Sequence, residues 1–154
     1  GRTGLAATAV RTSPDSDEWH IYAAGGEDCN GEVTNVVEVF DVSAGQWGPA
    51  IPLAFSRKWL GLVAMYSTKT EDWSLYAFGG QNSTAYAYVE QLPLANPADG
   101  WTELQPMPSP RSAFAVVPMK NYSGVWAVRA IGGLAADGSL ATNSLIFTPE
   151  NGWQ

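Results

Sequence analysis

The chain has one cysteine and one histidine. A single cysteine excludes an internal disulfide, and with one imidazole beside it no Cys/His metal cluster can be assembled. Basic residues are scarce too: eight Lys and Arg stand against fifteen Asp and Glu, a formal charge of −7. That sign repels phosphate backbones and anionic membrane surfaces, so neither nucleic acid nor membrane is an expected partner. No apolar run approaches the roughly 18–20 residues of a membrane helix. The first residues do not resemble a signal peptide, a pattern shared by a cytoplasmic protein and a mature secreted one, so the compartment stays open. No segment sustains a 3.6-residue apolar period, so helix content is expected to be close to nil. No glycine loop opening a helix is present to cradle phosphates, and no cofactor is expected.

What is present suits a folded domain. The 154 residues are 45% hydrophobic and 15% charged, enough to bury a core within one domain or one compact segment. Sixteen glycines and ten prolines favour many short elements joined by turns. Two Asn-x-Ser/Thr sequons begin at Asn82 and Asn121; matches this short arise by chance, and they decide nothing about compartment.

A repeat of about 54 residues organises the chain. Gly25-Gly26, Gly79-Gly80 and Gly132-Gly133 lie 54 and 53 residues apart, and six residues before each pair stands Trp19, Trp73 or Trp126. Trp47, Trp101 and Trp153 follow at spacings of 54 and 52, and Arg2, Arg57 and Arg111 at 55 and 54. Four marks keep one register over three cycles, which places repeat boundaries at 1–54, 55–108 and 109–154. Within each cycle, short runs rich in β-branched and aromatic residues alternate with turn signals. First strands are expected at 5–10, 60–65 and 114–117, and second strands at 19–24, 73–78 and 126–131. Third strands fall at 36–40, 87–92 and 144–147, and fourth strands open at the later tryptophans.

Four strands per repeat, a glycine doublet closing the second and a tryptophan opening the fourth make the chain resemble three consecutive kelch repeats along essentially its whole length. The first repeat matches with Arg2, Tyr22, Gly25-Gly26, Asp41 and Trp47. The second matches with Arg57, Tyr76, Gly79-Gly80 and Trp101, its acidic mark displaced; the third carries Arg129 where the tyrosine is expected. The resemblance implies an all-β fold of three four-stranded β-propeller blades. Six tryptophans are then expected between blades as core, and the opening arginines are expected to bond loop carbonyls. Propellers close with typically four to eight blades. At about 60° per blade, three blades make half of a six-bladed ring. A second copy of the chain or a missing segment must then close it, because open blade faces expose apolar surface and unpaired edges.

Chemistry-bearing residues are few. His20 opens a second strand and reads as a surface position. Cys29 lies among acidic neighbours in the loop 27–31, which disfavours its thiolate. Glu27, Asp28 and Glu32 read as a solvated acidic loop, with a cation site or an acid/base set as the rival. The kelch resemblance implies a ligand rim at the channel mouth, made by residues after the arginines and after the glycine pairs. Carried onto this chain, the first set is Thr3-Gly4, Lys58-Trp59 and Ser112-Ala113, and the second is Glu27-Asp28, Gln81-Asn82 and Leu134-Ala135. Trp59 stands out, because its counterparts are Gly4 and Ala113. A residue outside the repeat pattern is expected to owe nothing to the scaffold and to anchor a ligand.

Three functions follow as expectations. The leading one is a non-catalytic binding module for a peptide or small molecule. A second is a pocket enzyme of isomerase or cyclase type without a covalent nucleophile. The third is a piece of a larger kelch adaptor.

Overall fold

The computed structural model describes residues 1–154 except Pro14, Tyr122 and Ser123. The polar turn signal at 12–17, between the first two expected strands, and the sequon at Asn121 therefore lie partly outside the described residues. Among the described residues twelve strands form three four-stranded antiparallel sheets, each in simple up-and-down order. Blade 1 holds β1 (Ala6–Arg11), β2 (Trp19–Ala24), β3 (Val37–Asp41) and β4 (Gln46–Pro49). Blade 2 holds β5 (Gly61–Ser67), β6 (Asp72–Phe78), β7 (Val89–Pro93) and β8 (Thr102–Glu103). Blade 3 holds β9 (Ala115–Lys120), β10 (Trp126–Ile131), β11 (Ser144–Thr148) and β12 (Gly152–Trp153). The only helical element among the described residues is a 3-10 turn at Pro97–Asp99. The expected strands lie within one or two residues of these, except that β9 ends three residues later than expected. The third strands of blades 1 and 2 begin later than expected, because the backbone at Val36 and Tyr88 bonds the first glycine of the doublet instead of extending the ladder (Gly25 N–H to Val36 O, 2.9 Å; Gly79 N–H to Tyr88 O, 2.8 Å), whereas that of blade 3 begins at Ser144 as expected.

The first strands β1, β5 and β9 lie side by side, so the blades stack in chain order. Burial follows from that order. In β5 both faces are covered and every residue but Tyr66 is buried, whereas β1 and β9 alternate or lie largely open. Between blades 1 and 2, Val10 packs with Ala64, Leu75 and Leu92, and Val37 with Leu62 and Ala77. Between blades 2 and 3, Val63, Met65, Tyr76 and Phe78 meet Val128 and Phe147. Burial raises the Tyr76 hydroxyl pKa to about 12.

The tryptophan series separates along the stack. Trp73, Trp101, Trp126 and Trp153 pack against neighbouring blades. The indole N–H of Trp101 donates to Ile51 O (2.8 Å) of blade 1, and that of Trp153 to Gln105 O (3.2 Å) of blade 2. Trp19 and Trp47, expected in the core, are instead 42% and 54% exposed. They face the side of blade 1 on which no blade stands in this chain. The same open face carries Ile21 and Phe40, at the positions that Leu75 and Leu92 fill in blade 2 under full burial.

Candidate functional site

Each opening arginine is anchored inside its own blade. Arg2 donates to Gly25 O (2.7 Å) and Val36 O (2.8 Å), Arg57 to Gly79 O (2.9 Å) and Tyr88 O (3.2 Å), and Arg111 to Gly132 O (3.2 Å) and Asn143 O (2.8 Å). The other guanidinium nitrogen meets Glu38 (2.5 Å), Glu90 or Asn143 Oδ1 (2.6 Å). Glu38 and Glu90 hold one place in the repeat, each two residues beyond the carbonyl that its arginine bonds, whereas Leu145 stands there in blade 3 and Asn143, the counterpart of Val36 and Tyr88, supplies both its carbonyl and its side-chain oxygen. Arg57 and Glu90 are fully buried. Burial holds the guanidinium below and the carboxyl above their ordinary pKa values, against the opposing pull of each on the other.

The residues expected at the rim adjoin the arginines and the glycine pairs in the chain. The backbones of Thr3 and Glu27 exchange paired hydrogen bonds (2.9 and 2.8 Å), as do Lys58 and Gln81 (2.9 Å each) and Ser112 and Leu134 (3.0 and 2.8 Å). The two residue sets expected at the rim are thus joined pair by pair within each blade. Side chains then link neighbouring blades. Lys58 Nζ of blade 2 pairs with the Glu27 carboxylate of blade 1, and Ser112 Oγ of blade 3 donates to Gln81 Oε1 of blade 2 (2.6 Å). Ser112 is fully buried, so it ties the rim from beneath and is not on its surface. Thr3 and Asn82 are exposed.

Trp59 departs from its expected freedom. Gly4, Trp59 and Ala113 all adopt positive φ, at 64°, 55° and 53°. The Trp59 N–H donates to Gly4 O (2.7 Å), and the Ala113 N–H to Trp59 O (2.9 Å). Its backbone is therefore one link in a chain of bonds crossing the three blades, held in a conformation that costs an L-residue about 1–2 kcal/mol. Its ring lies over Gly4, where a Cβ would stand 2.7 Å from Cδ1. Lys58 Nζ sits 4.7 Å from the ring centre, and the indole is still 41% exposed. The side chain, not the backbone, breaks the pattern of the repeat.

The acidic loop is engaged. Glu27 meets Lys58, and Asp28 accepts the N–H groups of Glu32 (2.9 Å) and Asn30 (2.8 Å), which hold its carboxyl below the ordinary range. A carboxylate so stabilised is a weak base. Among the described residues no three His, Cys, Asp or Glu side chains gather as a metal-ligand group. Cys29 is exposed. Concavities of 450 and 410 Å³ lie away from the rim, one on the open face of blade 1 beside Glu38, Trp47 and Pro49, the other between blades 1 and 2 at Tyr22, Leu92 and Pro97.

No family model and no curated protein matches this chain. The chain is similar to the solved structure of YjhT, at 18% identity and a TM-score of 0.72, over 100% of its own length and 44% of that chain. At that identity the likeness shows the fold alone. The chain is an all-β protein of blade-like four-stranded sheets, and it spans less than half the length of the protein it resembles in shape.

Proposed function

We propose that the chain forms three consecutive blades of a kelch-type propeller, half of a six-bladed ring completed by a second copy, and that its rim is a non-catalytic binding surface for a peptide or small molecule. The observation that carries the binding reading is Trp59. A tryptophan that stays exposed at a strained left-handed position, where a sister blade has glycine, is retained against its conformational cost. An aromatic anchor rimmed by Lys58, Glu27 and Gln81 has the composition of a recognition site.

Closure by a second copy is supported by what each open face lacks. In blades 1 and 2 the second glycine of the doublet donates its N–H to the next blade's arginine carbonyl: Gly26 to Arg57 O (2.9 Å) and Gly80 to Arg111 O (2.8 Å). Gly133 has no such acceptor among the described residues, and a second copy brings Arg2 O to the equivalent place. Side chains are complementary as well. Arg129 occupies the position from which Tyr76 meets Phe147, so in the closed ring it faces Phe40 and Trp47 of the copy, whose rings already lie 5.3 Å apart. A guanidinium suits that aromatic pair.

A thermal-shift screen of the protein against short peptides and polar metabolites tests the binding reading. The expected ligands raise the melting temperature of the native chain, lose that effect in Trp59→Gly, and are recovered chemically unchanged by mass spectrometry. Conversion of a ligand would overturn the non-catalytic reading in favour of a pocket enzyme.

A further inference from the structure

At the strand ends away from the glycine doublets, each blade repeats one pairing. The last or next-to-last residue of the first strand stands opposite the tryptophan of the second: Arg11 opposite Trp19, Tyr66 opposite Trp73, Lys120 opposite Trp126. The Arg11 guanidinium lies 5.6 Å from the Trp19 ring centre and the Lys120 ammonium 5.0 Å from that of Trp126. Tyr66 meets Trp73 edge-on at 5.8 Å, and Trp73 and Trp126 are themselves 5.8 Å apart at 59°. Arg11, Tyr66, Trp73, Lys120 and Trp126 line a groove of 220 Å³.

Two features of this groove point to an occupant. Its charge is positive in a chain whose net charge is −7. That charge is barely compensated: Lys120 has no salt bridge among the described residues, and Arg11 has only Asp17 at 3.9 Å, whose side chain is fully exposed. An exposed pair of that length contributes little.

We propose that this groove binds a small aromatic anion, its ring against Trp73 and Trp126 and its carboxylate or sulfonate between Arg11 and Lys120. Two tilted indoles offer the edge and face that an aromatic ring prefers, and the two cations supply charge-assisted contacts to the acid group. The volume is below the roughly 300–1,000 Å³ of pockets for drug-sized ligands, which limits the occupant to one or two fused rings. All five lining residues belong to one chain and sit at the opposite end of the strands from the rim. The site therefore stands whether or not the ring closes and whether or not Trp59 binds a ligand.

The test is a titration of the 154-residue protein with 2-naphthoate and with its neutral amide, followed through the indole N–H signals of the seven tryptophans in a ¹H–¹⁵N spectrum. Saturable shifts are expected at Trp73 and Trp126 with the acid, and binding at least about tenfold weaker with the amide. Arg11→Ala and Lys120→Ala should each weaken the acid at least about fivefold while the melting temperature holds, because both side chains reach the surface. Equal binding of acid and amide would overturn the anion site. So would shifts centred on Trp47 or Trp59, or no saturation below about 10 mM.

Discussion

The carbonyl oxygen of Arg57 fills the space that a side chain on Gly25 would need: a Cβ there would stand 2.3 Å from it. The relationship recurs one blade on, where a Cβ on Gly79 would stand 2.5 Å from Arg111 O, and it ends at Gly132, which has nothing within 4 Å. These glycines are the points at which one blade's backbone rests on the next.

Gly25→Ala should destabilise the chain by more than about 3 kcal/mol, since backbone must shift to admit the methyl group in addition to the cost of positive φ. Gly132→Ala should cost about 1–2 kcal/mol, the left-handed penalty alone, because its φ is 69° but its surroundings are open. In the closed ring it should also abolish association. Denaturant unfolding of the two variants beside the native chain measures the difference; equal losses would mean that the stack is not held at these contacts.

Trp101→Ala removes an indole that packs between blades and bonds Ile51 O, and should cost about 2–4 kcal/mol. Trp47→Ala, at the same place in the repeat, should cost less than about 1 kcal/mol in the isolated chain, because Trp47 is half exposed. Its effect should fall on assembly. A large loss of intrachain stability at Trp47 would show that blade 1 is covered from within the chain.

Trp59→Gly should leave the unfolding free energy within about 1 kcal/mol of the native chain. Relief at a φ of 55° offsets the lost contacts with Gly4 and Lys58. A loss of about 3 kcal/mol or more would reassign Trp59 from ligand anchor to packing residue.

Stability should fall in acid, late and through the turns. Asp41 accepts the Ala44 and Ser43 N–H groups (2.9 Å each) and the Ser43 hydroxyl (2.7 Å), which lower its pKa; Asp28 and Asp137 are lowered in the same way. A carboxylate whose folded pKa lies below its unfolded one contributes stability above the unfolded value of 3.8 and loses it as pH falls through the folded value. Glu90 has the opposite sign. Burial raises its pKa, so the folded state takes up a proton first and stability gains as pH falls toward 4.5. Melting temperature should therefore hold from neutral pH to near 4.5 and drop below 3.8, with a shallower drop in Asp41→Ala. A steep fall between about pH 7 and 5 would contradict this assignment.

Strand positions were legible because alternation and turn residues are local properties of the chain. The kelch resemblance put Thr3, Lys58 and Ser112 in one set and Glu27, Gln81 and Leu134 in another, but their pairing residue by residue is a property of the backbone bonds and has no mark in the sequence. Burial was not legible for the end blades. Trp47 and Trp101 are equivalent in sequence, and only the presence of a preceding blade makes one a core residue and the other a surface one. Trp59 shows a different limit: its side chain breaks the repeat while its backbone obeys it, and sequence comparison sees only the former. The Arg11, Lys120 and Trp73 groove was missed because its members lie at strand ends, and cations scattered through an acidic sequence give no local signal.

Closure of the ring by a second copy is tested most directly by the native mass of the 154-residue chain in solution, by light scattering on a size-exclusion column. The predicted result is twice 16.4 kDa, reduced to a single copy by Trp47→Ala or Gly132→Ala. A native chain that runs at 16.4 kDa, with the face of Trp47 and Phe40 bare, would contradict it.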